Sequence, residues 1–296
     1  MIQTTTAPAK ETNDEYHAAA DGRVSNSWLS AMDESPQKFH AVYIAKTMPK
    51  PEATPAMQLG HLVHTATLEP HAVYERYAVA PKVDRRTNAG KAAFAEFEAE
   101  SEGKEVVTVD DMTTAIGCAT ALLRNETLAP FFNARSLAVK IEERINFEVA
   151  GLPMRCKPDW LSVDLGLIID IKTTRHVKRS QFERSVEALG YHRQSWLYRE
   201  AAWQKYGRSF RFLFAVVHTA APFETACYEL DEKGNEDGRL DAIALIEQFK
   251  LRQRNNNWLA DQSQGSAPTK ITTSRWHKAP AIETELYEDE SEAGNE

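Results

Sequence analysis

Two short stretches carry most of the chemistry this sequence could perform. One is Arg155-Cys156-Lys157-Pro158-Asp159; the other, separated from Asp159 by ten residues, is Asp170-Ile171-Lys172-Thr173-Thr174. Alternate residues of a strand share a face, so Asp170 and Lys172 project together while Ile169 and Ile171 point into a core. Asp159 lies on the preceding strand, and folding back at Asp164-Leu165-Gly166 brings it beside Asp170. Two carboxylates so placed repel each other unless a cation lies between them, and hard oxygen ligands suit Mg²⁺ or Mn²⁺. A lysine beside them can hold a hydroxide or offset charge that builds on a phosphate. Asp-x-Lys alone reads as a surface salt bridge, with Asp159 a turn residue. What favours a site is the Pro-Asp upstream, in a meander followed by a basic helix.

The elements that must position these groups are legible in outline. A first helix starts at Ser25, with Trp28, Leu29 and Met32 at helical spacing. Pro49, Pro51 and Pro55 mark a loop, and a second helix runs from about Ala56 to Leu68, stopped by Pro70. Lys82–Gly90 is polar and reads as a loop. Helical patterns follow near Gly90–Ser101 and Val109–Leu123. From Leu137 the texture is that of strands: Val139–Val149, Met154–Val163 and Leu167–Thr173 predict an antiparallel meander. One long helix is expected from Ser180 to Tyr206, then a buried strand at Arg211–Thr219, another at Ala226–Leu230 and a closing helix at Leu240–Arg254. This order predicts an α/β fold with a central mixed sheet flanked by helices. Residues 1–24 read as a flexible arm and 279–296 as an acidic disordered tail. Between them, 25–278 reads as one domain: a helical part (25–136), a core (137–230), and a C-terminal helix with its extension (231–278).

Against this outline, three motifs resemble those of the PD-(D/E)xK nuclease superfamily. Pro158-Asp159 with Asp170-x-Lys172 resembles its signature. Gly60-His61-Leu62-Val63-His64 resembles the G-x-x-x-H element of the RecB-like and λ-exonuclease-like branches, and Tyr191-His192-Arg193-Gln194 their Y-x-x-Q element. Over residues 16–280 the chain is most similar to nuclease domains of the exodeoxyribonuclease VIII (RecE) family. That resemblance implies a restriction-endonuclease-like core. It implies Asp159, Asp170, the carbonyl of Ile171 and the imidazole of His64 as metal ligands, and Lys172 as the residue that positions or polarises the attacking water. Gln194 and Tyr191, one helical turn apart, would orient the nucleophile or grip the scissile phosphate. It further implies an exonuclease using Mg²⁺ (or Mn²⁺) on linear double-stranded DNA, 5′→3′, leaving 3′ single strands. A RecT-like annealing partner and a ring-shaped homo-oligomer belong to the same expectation. A RecB-like repair endonuclease and a non-cutting DNA-binding module are the alternatives.

Charge agrees with a nucleic-acid substrate once its distribution is considered. The chain of 296 residues carries 35 Lys+Arg against 43 Asp+Glu, a formal net charge of −8. Seven acids and no base lie in 279–296, so the rest is nearly neutral. Lys172 to Arg211 holds ten bases and three acids, a local excess that suggests an anionic ligand. Arg175, Lys178, Arg179, Arg184 and Arg193 are the candidate contacts to the DNA backbone. Glu142 and Glu143, expected on opposite faces of the first strand, can offer at most one carboxylate to the metals. His61 reads as a structural or DNA-facing residue, and Trp196, Trp203, Trp258 and Trp276 as core or subunit-contact residues.

Other classes are excluded. Three cysteines without a C-x-x-C exclude a disulfide framework or a thiolate zinc site. No phosphate-binding glycine loop indicates a nucleotide-driven motor. The N-terminus lacks the apolar run of a secretory signal, so a soluble cytoplasmic protein is expected, with no membrane association.

Overall fold

The computed structural model describes residues 21–133 and 138–259. Most of the expected arm, the expected tail at 279–296 and the extension from 260 to 278 lie outside the described residues. The chain opens with α1 (Asn26–Glu34), capped by Ser25, and α2 (Pro36–Phe39), which continues into a π-helical turn at His40–Ile44. Then come α3 (Pro55–Leu68), α4 (Val73–Arg76), β1 (Tyr77–Val79), α5 (Asn88–Glu100), β2 (Glu105–Val107), α6 (Val109–Arg124) and α7 (Ala129–Phe132). The core follows as β3 (Val139–Ile141), β4 (Ile145–Val149), β5 (Leu152–Cys156), β6 (Trp160–Ser162) and β7 (Leu167–Thr174). Helices α8 (Arg179–Ala188) and α9 (Tyr191–Tyr206) cross over to β8 (Arg211–His218), which turns into β9 (Thr225–Glu229) and α10 (Glu232–Asn255).

A mixed five-stranded sheet in the order β3-β6-β7-β8-β9 is the frame, with β7 and β8 parallel and the other pairs antiparallel. A parallel pair needs a long crossover, which α8 and α9 supply. Both faces of β7 and β8 are covered, as their unbroken apolar runs require. One core cluster joins Ile168, Phe212, Phe214 and Val216 to α1, α8, α9 and α10. The other joins Ile169, Ile171, Leu213, Ala215 and Val217 to α3 and α6. Helix α3 is set by Thr54, whose hydroxyl accepts from the Met57 amide, and by Pro55 at its first position. Its Leu62 and Val63 are fully buried.

Four expectations are corrected. The meander is not three unbroken strands: β4 and β5 pair as a separate two-stranded ribbon, while β3 and β6 belong to the main sheet. The hairpin breaks on one side at Glu142, whose φ is +50°, and on the other at Pro158, which has no amide to give the ladder. The helix expected over Ser180–Tyr206 is two helices separated by Gly190 at φ +64°. The arm ends early, because Val24 is buried and exchanges backbone hydrogen bonds with Pro153 and Arg155 at 3.0 and 2.9 Å. Finally, α10 begins at Glu232, not Leu240, with Asp231 as its cap. Gly238 inside it is required by packing, since a Cβ there would lie 2.3 Å from the His192 carbonyl oxygen of α9.

Candidate active site

The site forms where the hairpin breaks against the end of β7. Trp160 pairs with Ile169, so the residue before it, Asp159, arrives beside Asp170. With the ladder interrupted at Pro158, the Asp159 carboxylate takes the place of a backbone acceptor: its Oδ2 accepts the Ile171 amide at 2.7 Å. Helix α3 carries His64 to the same point. Its Nε2 lies 3.0 Å from the Ile171 carbonyl oxygen and its Nδ1 3.4 Å from Asp159 Oδ2. Acceptors at both ring nitrogens favour the imidazolium, which needs a donor at each. Burial opposes that charge, but Asp159 and then Asp170 outweigh it and push His64 up to about 9.

Across the face, Lys172 Nζ lies 2.6 Å from Asp170 Oδ2, donates to Gln194 Oε1 at 2.9 Å and sits 4.2 Å above the Tyr191 ring. Gln194 completes the bridge by donating from Nε2 to Asp170 Oδ1 at 2.9 Å. Burial raises Asp170 above the ordinary carboxylate range; Lys172 opposes this and Asp159 adds to it. Asp159 moves the other way: burial is outweighed by His64, Lys172 and the Ile171 amide. Two neighbouring carboxylates whose environments drive them apart are what a paired acidic site produces.

The donors fit a hard divalent cation. Asp170 Oδ2 is buried and accepts no hydrogen bond of normal geometry, although Lys172 lies against it. Two carboxylates, a backbone carbonyl and one imidazole, which would ligate only after His64 gives up a proton, match Mg²⁺ or Mn²⁺, which keep several waters and need few protein ligands. Among the described residues no three His, Cys, Asp or Glu side chains already form a cage, so such an ion would draw the rest of its shell from solvent and substrate.

Seven expected residues therefore meet here: His64, Asp159, Asp170, Ile171, Lys172, Tyr191 and Gln194. The expected DNA contacts divide. Arg175 and Lys178 are exposed just beyond β7 and line a concavity of about 630 Å³ with His176 and His218. Arg184 is exposed on α8, and Arg179 is paired with Glu183 at 2.8 Å. Arg193 is corrected: it is only 4% exposed and donates to Asn26, Ser30 and Asp241 at 2.8, 2.7 and 2.6 Å. A guanidinium so enclosed ties helices together and offers nothing to a phosphate.

Sequence reasoning assigned no role to Lys157, which pairs with Glu142 at 3.3 Å and, with His61, lines a cavity of about 250 Å³ beside Asp159. The signal was Arg155-x-Lys157 immediately before Pro-Asp. Glu143 is turned away, bound to Tyr206 and Lys205. Burial, with help from the charge on His64, lowers His61 below the usual histidine value.

Residues 25–260 match the model of a family described as "PDDEXK-like domain of unknown function (DUF3799)". The chain belongs to this family. Among solved structures it is similar to a putative exonuclease from Eubacterium rectale, 14% identical, with a TM-score of 0.59 over 90% of this chain and 96% of that one. That likeness shows a shared fold along nearly the whole of both chains. An alkaline exonuclease from Laribacter hongkongensis is 15% identical over 68% of this chain and 100% of that one, with a TM-score of 0.26. No curated protein matches the chain. The family assignment and the fold bear out the PD-(D/E)xK expectation. No helix among the described residues is long and apolar enough to cross a membrane.

Proposed function

We propose that this PDDEXK-like protein is a divalent-metal-dependent exodeoxyribonuclease acting on the ends of linear double-stranded DNA. The observation that carries the reading is the bridge at the end of β7, where Lys172 is held between Asp170 and Gln194 with Asp159 alongside. Asp159, Asp170, the Ile171 carbonyl and His64 would hold Mg²⁺, or Mn²⁺ by the same donor preference. Such an ion lowers the pKa of water and polarises phosphoryl oxygens.

The chain's own groups do the rest. Lys172 presents a fixed positive charge where the phosphate gains negative charge during attack. Gln194 prevents it from swinging, because one amide grips both the ammonium and Asp170. The Tyr191 ring attracts the ammonium from below and shields that side from water. Arg175, Lys178 and Arg184 offer exposed charges for the backbone of the strand. The RecE-type resemblance adds 5′→3′ polarity, 3′ single-stranded products, a RecT-like annealing partner and a ring of subunits encircling the duplex.

The test measures Mg²⁺-dependent release of nucleotides from linear duplex by wild type, Asp170→Ala and Lys172→Ala. Both variants are expected to lose activity, and equal activity in all three would sink the assignment. A closed circular substrate should be spared; cutting it at the linear rate would make the enzyme an endonuclease.

A further inference from the structure

A groove of about 1290 Å³ runs between α8, the edge of β9 and the first half of α10, and it has no part in the proposed chemistry. Its floor is apolar. Phe182 stacks on Tyr228 at 5.1 Å and meets Phe214 edge-on at 5.6 Å, with Val186 and Leu230 beside them. Along one wall, three consecutive residues of β9 (Cys227, Tyr228 and Glu229) all line the space. Successive side chains of a strand point to opposite faces, so the groove must reach the strand's edge itself. β9 is the last strand of the sheet and pairs only with β8 among the described residues. An uncovered edge of this kind is a template for an added strand.

The rim selects what can be added. Eight carboxylates line the groove against Arg179, Arg193, Lys233 and His192. Pairing of Arg179 with Glu183, of Arg193 and His192 with Asp241, of Lys233 with Asp237 and of Arg211 with Glu229 offsets four of the acids and leaves Asp33, Glu34, Glu187 and Asp231 in excess. Asp33, Glu34 and Glu187 are exposed, and all three lie on the rim. That sign repels a nucleic acid and attracts a cation-bearing chain.

We propose that this groove docks an extended, Lys/Arg-rich segment of a partner protein, which adds to the edge of β9 and seats an aromatic side chain on the Phe182–Tyr228 floor. Leu189 lines both this groove and the cavity beside Asp159, so a partner held here sits next to the proposed site of cutting. The docking does not depend on the nuclease reading, because binding is measured without turnover.

The experiment titrates the full chain into three fluorescein-labelled nonapeptides and follows anisotropy. One alternates Lys and Val around a central Trp, one replaces its Lys by Glu, and one keeps Lys but replaces Val and Trp by Ser. The first should bind, more weakly as salt rises, and the other two should not. The triple variant Asp33→Lys/Glu34→Lys/Glu187→Lys should bind it roughly tenfold or more weakly, since three attractive rim charges become repulsive. Its release of nucleotides from linear duplex should stay at the wild-type rate. Equal binding by the Lys–Ser peptide, undiminished binding by the triple variant, or displacement of the Trp peptide by a short DNA duplex would each overturn the proposal.

Discussion

Replacing Arg193 by alanine separates a structural residue from a DNA contact. The side chain leaves α9 and donates to Asn26 and Ser30 on α1 and to Asp241 on α10, so one guanidinium joins three helices. Its loss strips two neutral acceptors of their donor and leaves Asp241 with His192 as its remaining cationic partner. Removing one partner of a buried ion pair costs about 3–5 kcal/mol. The Asp241 side chain is 33% exposed, so water recovers part of that charge and the lower end, about 3 kcal/mol, applies. With a urea m-value of roughly 3 kcal/mol/M, the unfolding midpoint should fall by about 1 M. Urea unfolding followed by tryptophan fluorescence gives the midpoint, and DNA affinity measured across salt gives the number of phosphate contacts. The slope of log affinity against log salt should not change. A phosphate-binding arginine behaves the other way: stability stays within about 0.5 kcal/mol and the slope becomes shallower by about one. An unmoved midpoint with a shallower slope would refute this reasoning and return Arg193 to the DNA surface.

Three further outcomes are expected. Gln194→Ala removes the amide that holds Lys172 and Asp170 in register, leaving only their direct 2.6 Å contact, and should lower kcat on linear duplex about 10–100-fold while costing about 1–3 kcal/mol in thermal melts. Two glycine substitutions should diverge in thermal melts. Gly60→Ala gains about 0.5–1 kcal/mol, because its Cβ meets Thr173 Oγ1 at an ordinary 3.5 Å. Gly117→Ala loses about 1–3 kcal/mol, because its Cβ would fall 2.3 Å from the Phe223 ring. The last concerns pH. The hydrogen bond from His192 to Asp241, against the opposing effect of burial, holds His192 above its usual value. The stability this contributes is complete below the unfolded pKa of about 6.5 and is lost as pH rises through the higher folded value. His192→Gln should flatten that decline in urea midpoints taken across the range, and an unchanged decline would place its origin elsewhere.

The sheet and its charged pair were legible because strand periodicity is local: Ile169 and Ile171 against Asp170 and Lys172 announce one buried face and one working face. His64 and Gln194 were reached through motif resemblance, since no local pattern relates residues 107 and 24 positions from the groups they touch. The errors share a cause. Arg193 and Arg184 have the same composition and the same basic neighbourhood, yet one is enclosed and the other is exposed. What separates them is α1 and α10 arriving from distant sequence, and charge counting along the chain cannot register that. Lys157 was passed over for a related reason: its partner Glu142 sits in a left-handed kink that the alternating pattern of Val139–Val149 conceals.

The break at Gly190 shows why a single helix could not have built this site. At about 100° per residue, an unbroken helix would put Tyr191 roughly 180° and Gln194 roughly 120° around the axis from Phe182. Phe182 must face the sheet, where it packs on Phe214. Tyr191 would then point away from Lys172, yet its ring lies 6.2 Å from Phe182 and 6.1 Å from Phe214. Both rings reach the sheet because Gly190 adopts φ +64° and starts a new helix with its own phase. No side chain can take its place. A Cβ there would lie 2.4 Å from Arg193 Nη2, so the guanidinium that joins the three helices also packs against the turn that aims Tyr191 and Gln194. Gly190→Ala therefore strains the backbone and displaces Arg193 together, and it should cost more stability than Gly60→Ala gains while also lowering kcat. A melt that falls with kcat unchanged would mean that the aim of Gln194 does not depend on this turn.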